Sequence, residues 1–260
     1  ELLIARTAAD VIEKSGFFKE GFSLQTGTGG ASLAVTRFLE DKMRRHHIHA
    51  GFALGGITST IVDLHEKGLI KKLLDVQSFD RAAAESLARN PNHIEISANQ
   101  YACFDSKGAS VDMLDVVVLS ALEIDTRFNV NVLTGSDGVI RGASGGHSDT
   151  AVAAKLSIIV APLVRGRIPT LVDDVLTCVT PGSSVDILVT DHGIAVNPAR
   201  PELKQQLESQ GIKTVSIQWL RERAQLLTGT PNPIEFTDKV VAVVRYRDGS
   251  VIDVVHQVKE

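Results

Sequence analysis

The chain has 260 residues, 43% hydrophobic and 22% charged, an ordinary globular composition with length for one large domain or two small ones. A formal net charge of −4 leaves no broad basic surface for nucleic acid, and no apolar stretch approaches the ~18 residues of a membrane span, so neither is an expected partner. Cys103 and Cys178 form no spaced motif and suit a reducing compartment, and with no signal-peptide pattern the expected location is cytoplasmic.

The chain opens at Glu1 without a methionine and is at once amphipathic (Leu2, Leu3, Ile4, then Ala8, Val11, Ile12), as expected of a domain cut from a longer polypeptide. Residues 1 to about 15 read as a helix and Gly21 to Gln25 as a strand. The loop Thr26-Gly27-Thr28-Gly29-Gly30 follows, then a helix over 31 to 45. Ile48 to Leu54 reads as a strand running into a second loop, Gly55-Gly56-Ile57-Thr58. A helix to His65, a strand from Leu73 to Val76, a helix from Asp80 to Arg89 and a strand from His93 to Ser97 complete the first half.

Further on, Val111 to Leu122, Phe128 to Leu133, Lys155 to Ala161, Thr170 to Val179 and Val185 to Thr190 read as strands. Their Val and Ile runs lack alternation, which suits strands covered on both faces. Pro201 to Ser209 and Ile217 to Leu227 read as helices. Val240 to Arg247, a turn through Gly249, and Val251 to Val258 form a closing hairpin. The expected fold is α/β: an open, mostly parallel sheet with helices on both faces and a C-terminal β-hairpin. The expected organisation is one domain over 1–260, with its core at 20–195 and an extension at 196–260.

Eleven of the 21 glycines fall in three segments: Gly27, Gly29, Gly30; Gly51, Gly55, Gly56; and Gly135, Gly138, Gly142, Gly145, Gly146. Each lies where a predicted strand ends, which is where open α/β sheets bind ligands. Glycine there lets backbone N–H groups approach an anion or a carbonyl oxygen. The first loop misses the dinucleotide fingerprint, because Ser32 stands in place of the third glycine, and it lacks the ending of a P-loop.

In order, the segments resemble the second half of coenzyme A transferases. Leu24 to Leu39 is similar to their opening strand, Gly loop and helix. His46 to Ile57 resembles the strand that carries their Ser-Glu-Asn-Gly motif. Ser78-Phe79-Asp80 through His93-Ile94 resembles their next helix and strand, and Arg141 to Asp149 their Gly-rich loop. Within that superfamily, Gly142 to Thr150, Ile158 to Thr170, Val185 to Pro198 and Pro233 to Val258 resemble the second half of the citrate lyase alpha subunit family.

The resemblance implies exchange of acetyl for citryl on an acyl-carrier thioester. The implied partners are the acyl-carrier (gamma) and beta subunits, the N-terminal half of the same subunit, and the small molecules citrate and acetate. No cofactor is expected on this chain. The phosphoribosyl-dephospho-coenzyme A arm would sit on the carrier, with acetyl-coenzyme A as a surrogate. The transferase nucleophile Glu has no counterpart, since Ile48-His49-Ala50-Gly51 occupies the matching stretch and no Glu lies between Asp41 and Leu64. That agrees with the direct transfer implied for the citrate lyase class.

The expected catalytic residues are Gly145 and Gly146, as oxyanion donors, and His49. The expected thioester and substrate contacts are Gly27, Gly29, Gly30, Gly55, Gly56, Ser144, His147 and Asp149. Several readings stay open: His147 touches substrate or braces the loop; Asp149 meets the carrier arm or caps the following helix beside Ser148; His49 binds citrate or merely packs. Lys42-Met43-Arg44-Arg45 is a solvated helix end or a carrier-docking patch. No metal is expected, because His47 and His49 share a strand face without a nearby Cys or carboxylate. A docking module of the lyase, a citramalate-specific homologue and a sugar-phosphate isomerase of related fold are the alternatives.

Overall fold

The computed structural model describes residues 1–27, 29–106 and 108–259; Thr28 of the first glycine loop lies outside them. The chain begins with α1 (Leu2–Lys14), β1 (Ser23–Thr26), α2 (Gly30–His46), β2 (Ala50–Ile57), α3 (Ser59–Glu66), β3 (Ile70–Ser78), α4 (Arg81–Arg89), β4 (His93–Glu95) and α5 (Ala98–Ala102). There follow β5 (Val116–Ser120), β6 (Glu123–Asp125), β7 (Val130–Asn131), α6 (His147–Ala153), β8 (Leu156–Val160), β9 (Val164–Arg165), β10 (Ile168–Pro169), β11 (Leu171–Val172), β12 (Ile187–Val189) and β13 (Ile194–Val196). α7 (Pro201–Ser209), α8 (Ile217–Thr228), β14 (Phe236–Arg245) and β15 (Val251–Val258) close it.

Eight strands make the central sheet in the order β13-β12-β8-β5-β1-β2-β3-β4. All neighbours pair parallel except β12 and β13. The unalternating Val and Ile runs are explained by two apolar faces. In β5, Val116 and Val118 point into one core with α1, α2, α3 and α7, while Val117 and Leu119 point into a second with α5 and α8. α1 lies ahead of the core span read from sequence, yet it packs inside the core through Ile4, Ala8, Val11 and Ile12.

The sequence order turns back between β1 and β5. β1 leads outward through β2, β3 and β4, and β5 leads the other way through β8 and β12. That reversal leaves a crevice over the carboxyl ends of β1 and β5, the usual ligand position in such sheets.

Two expectations need correction. Gly55 and Gly56 are not a loop beyond β2; they lie inside it, where the register against β3 slips between them and Gly55 takes φ +101°. Such a bulge re-aims the strand end. The extended readings of Phe128 to Leu133 and Thr170 to Val179 survive only as β7 and β11, in a small sheet ordered β11-β6-β7. The buried Asp125 carboxylate accepts N–H bonds from Arg127 (2.9 Å) and Asn129 (3.0 Å), which curls this stretch into a turn.

Candidate active site

The three glycine segments meet in one cleft of about 320 Å³ at the β1/β5 crevice, lined by Gly27, Gly29, Gly56, Gly145 and Gly146. Gln25 and Thr26 of β1, Ser120 of β5, Gln77 of β3, Phe79 just beyond it, Tyr101 of α5, Ser144 of the third loop and His147 at the start of α6 complete much of the wall. Strand direction explains the convergence, because parallel neighbours deliver their carboxyl ends to the same edge.

The first loop is held from below. Gly27 N–H donates to Val118 O at 2.8 Å. Ser32 Oγ lies 2.8 Å from Gly29 O and 3.0 Å from Gly27 O, either of which its hydroxyl can reach, and 3.2 Å from Ser120 Oγ. The residue that breaks the dinucleotide fingerprint is therefore the clasp of this loop. Glycine is required at 29, where an added Cβ would strike the Ser120 side chain.

The third loop is fixed by His147, which is buried. Its Nε2–H donates to Ser120 O at 3.0 Å, and the Thr180 hydroxyl donates to Nδ1 at 2.7 Å. Burial pushes its pKa down to about 4, against the opposing pull of the Ser120 carbonyl, so the ring is neutral at pH 7. Gly145 takes φ +49° with open space where a Cβ would stand, whereas a Cβ on Gly146 would strike the Tyr101 hydroxyl.

Four expected residues lie outside the cleft lining. Gly30 opens α2 against Glu1, whose Oε2 would stand 2.6 Å from an added Cβ. Gly55 lies one position behind the lining, beneath the Gln25 amide. Asp149 carries no cap: the N-cap of α6 is Gly146, without a side-chain bond. Instead Asp149 Oδ1 approaches Arg247 Nε of the C-terminal hairpin at 3.5 Å, and burial raises its pKa against the pull of that guanidinium.

His49 is a correction of a larger kind. It precedes β2 at the amino end, where its N–H donates to Glu20 Oε2 at 2.7 Å. Seven residues at ~3.3 Å each put it about 23 Å along the strand from Gly56. The cleft end of β2 carries Gly55 and Gly56, so it offers no carboxylate nucleophile either.

The Lys42 to Arg45 run is only partly a solvated helix end: Arg44 and Arg45 are exposed and the first two residues are not. Lys42 is buried and pairs with Asp10 (2.6 Å) and Glu13 (2.5 Å), Met43 is buried, and Arg44 pairs with Glu40 at 2.9 Å.

Sequence reading missed Gln25, Gln77, Phe79, Tyr101 and Ser120. Gln25 carried a signal, as a polar residue ending an apolar strand, and Phe79 stood in the Ser78-Phe79-Asp80 stretch of the resemblance without being assigned to the site. A larger cavity, about 410 Å³, lies by β6 and β10 around Glu123, Arg167 and Asn232. It takes nothing from the first two glycine segments, and the cleft is the better candidate because it stands at the crevice the topology creates.

Among the described residues, the cleft lining holds no Asp, Glu, Lys or Arg, and its histidine is neutral. What remains is hydroxyls, amides and glycine backbone, which suits binding and polarising an acyl group by neutral donors.

An open sheet of this order, with a glycine cleft at its crevice, is a coenzyme A transferase-like fold. It is shared at fold level with a Pseudomonas malonate decarboxylase hetero-tetramer solved with malonate (TM-score 0.57, 14% identity, 88% of this chain and 51% of that one). The match to the model of "Citrate lyase, alpha subunit (CitF)" runs over residues 1–258, and the chain belongs to that family. It is 85% identical to the citrate lyase alpha chain of Escherichia coli K12 over 260 residues, covering all of this chain and 51% of that protein. A crystal structure of the putative alpha subunit of citrate lyase from Streptococcus mutans, in complex with citrate, superposes with a TM-score of 0.98 at 59% identity, covering 100% of this chain and 51% of that one. The chain thus spans about half the length of the relatives it matches. Among the described residues, no helix is long and apolar enough to cross a membrane.

Proposed function

We propose that this chain contributes the thioester-handling half of a citrate CoA-transferase within a citrate lyase, exchanging acetyl for citryl on an acyl-carrier thioester. The observation that carries the reading is the meeting of three glycine segments in one cleft whose lining, among the described residues, carries no ionised side chain. The citrate complex of the Streptococcus mutans relative supports the substrate. Assignment to the second of the two halves rests on the sequence resemblance alone, as do the carrier and beta subunits as partners, the prosthetic arm on the carrier, and a cytoplasmic location.

In the proposed reaction a citrate carboxylate attacks the acetyl thioester carbonyl, and the C–S bond breaks to give a mixed anhydride and a thiolate. The thiolate then attacks the citryl carbonyl, acetate leaves, and citryl remains on the carrier. Both attacks build negative charge on an acyl oxygen. Backbone N–H groups of Gly145 and Gly146 are the proposed donors to it; His147 holds the loop that aims them, and Ser32 holds the facing first loop. With no carboxylate at the cleft end of β2, transfer is direct.

The test is an exchange assay with labelled citrate and acetyl-carrier, or acetyl-coenzyme A, in the assembled subunit. Citryl thioester should form, and the chain's intact mass should not change after incubation with the acetyl donor alone. Absence of exchange, with carrier still bound, would leave a docking module. An acylated chain would overturn direct transfer.

A further inference from the structure

Tyr101 is one of only two tyrosines in the chain. It sits in a helix of five residues that is nevertheless firmly built: Ser97 and Gln100 form a reciprocal capping box, with Gln100 N–H donating to Ser97 Oγ at 3.1 Å and Ser97 N–H to Gln100 Oε1 at 3.2 Å. The ring belongs to the second core, while the residue lines the cleft. Its position is therefore set by packing rather than by any ligand.

The hydroxyl is oriented by Gln25, itself buried at the end of β1. Gln25 Nε2 donates to Tyr101 Oη at 2.8 Å; the reverse arrangement, hydroxyl to Gln25 Oε1, spans 3.2 Å. The shorter arrangement makes the phenol oxygen an acceptor from the amide, which leaves the phenol hydrogen available to the cleft. Gln25 cannot readily swing aside, since its amide lies over Gly55, where an added Cβ would come within 2.7 Å. On its other side, Tyr101 Oη fills the space that a side chain at Gly146 would need. One hydrogen bond thus links β1, the bulge of β2, α5 and the third glycine loop.

We propose that the Tyr101 hydroxyl, steered by Gln25, is a further hydrogen-bond donor to the acyl oxygen of the ligand beside Gly146. Burial pushes its pKa up to about 12, which keeps the proton in place throughout the physiological range. A neutral donor of this kind fits a cleft whose other polar groups, among the described residues, are hydroxyls, amides, backbone and a neutral histidine. The inference rests on the transferase reading and names one of its donors.

The test is Tyr101→Phe in the assembled lyase, which keeps the ring and its packing and removes only the hydroxyl. Expected is a loss of about 100-fold in kcat for citryl exchange, the usual cost of one oxyanion donor, with KM for citrate within about twofold. Gln25→Ala, which frees the phenol to turn, should lower kcat in the same direction by less. Unchanged kcat in Tyr101→Phe, or a loss explained by a lower folded fraction in thermal melts, would overturn the donor role and leave the transferase reading standing. No exchange in the unsubstituted complex would remove both.

Discussion

His147 shows how one buried side chain couples the cleft to pH. Its folded pKa, about 4, lies below the value of ~6.5 for a free histidine, so between those values the unfolded chain binds more protons than the folded one. Stability contributed by the neutral ring is full above pH 6.5 and is lost as pH falls toward 4. The drop is of order 3 kcal/mol, from ~1.4 kcal/mol per unit. Urea unfolding at pH 7 and at pH 4.5 should show this loss, and His147→Gln, which cannot titrate, should lose markedly less. Equal losses in the two proteins would remove His147 as the cause. Protonation at Nδ1 would reverse the Thr180 bond and leave a buried charge, while Nε2–H keeps its bond to Ser120 O, so acid should disturb the cleft before the distant α7.

Between elements, single polar contacts set the register that apolar packing leaves free. At the amino edge of the sheet, the Asp115 carboxylate accepts from Ser23 N–H (2.9 Å) and from Lys155 Nζ (2.7 Å), which ties β1, β5 and β8 at one level. Ser23 is 1% exposed, so Asp115→Ala leaves its N–H without a partner and should cost about 1–3 kcal/mol of unfolding free energy. Asp10, whose partner Lys42 keeps Glu13, should cost less when replaced by Ala. Equal effects in chemical denaturation would show that Asp115 does not set the register.

The element types were largely legible in sequence: α7 has the expected bounds, and the hairpin is present as β14 and β15. Short strands were less legible. β6, β9, β10 and β13 have two or three residues each, too few for any periodicity to show.

Taken whole, a chain of net charge −4 with no cationic side chain among the described residues of its cleft lining is poorly equipped to hold a tricarboxylate by itself. Removing several negative charges from water without partners is costly. The cations that neutralise citrate are therefore expected outside this chain. Titration calorimetry should find that the 260-residue chain binds citrate no tighter than about 1 mM. Micromolar citrate binding by the chain alone would contradict that division of labour.

Periodicity, glycine and capping residues act over a few positions, so the helices, the parallel-sheet strands and the three glycine segments could be read directly from the order of residues. The absence of a nucleophilic Glu near β2 was equally plain. Which of those residues meet was decided by chain reversal between β1 and β5, an event set by long-range packing of two cores. That reversal brought Ser120, Gln25 and Tyr101 to the glycines. Strand direction left His49 about 23 Å away, because along a parallel strand only one end faces the crevice.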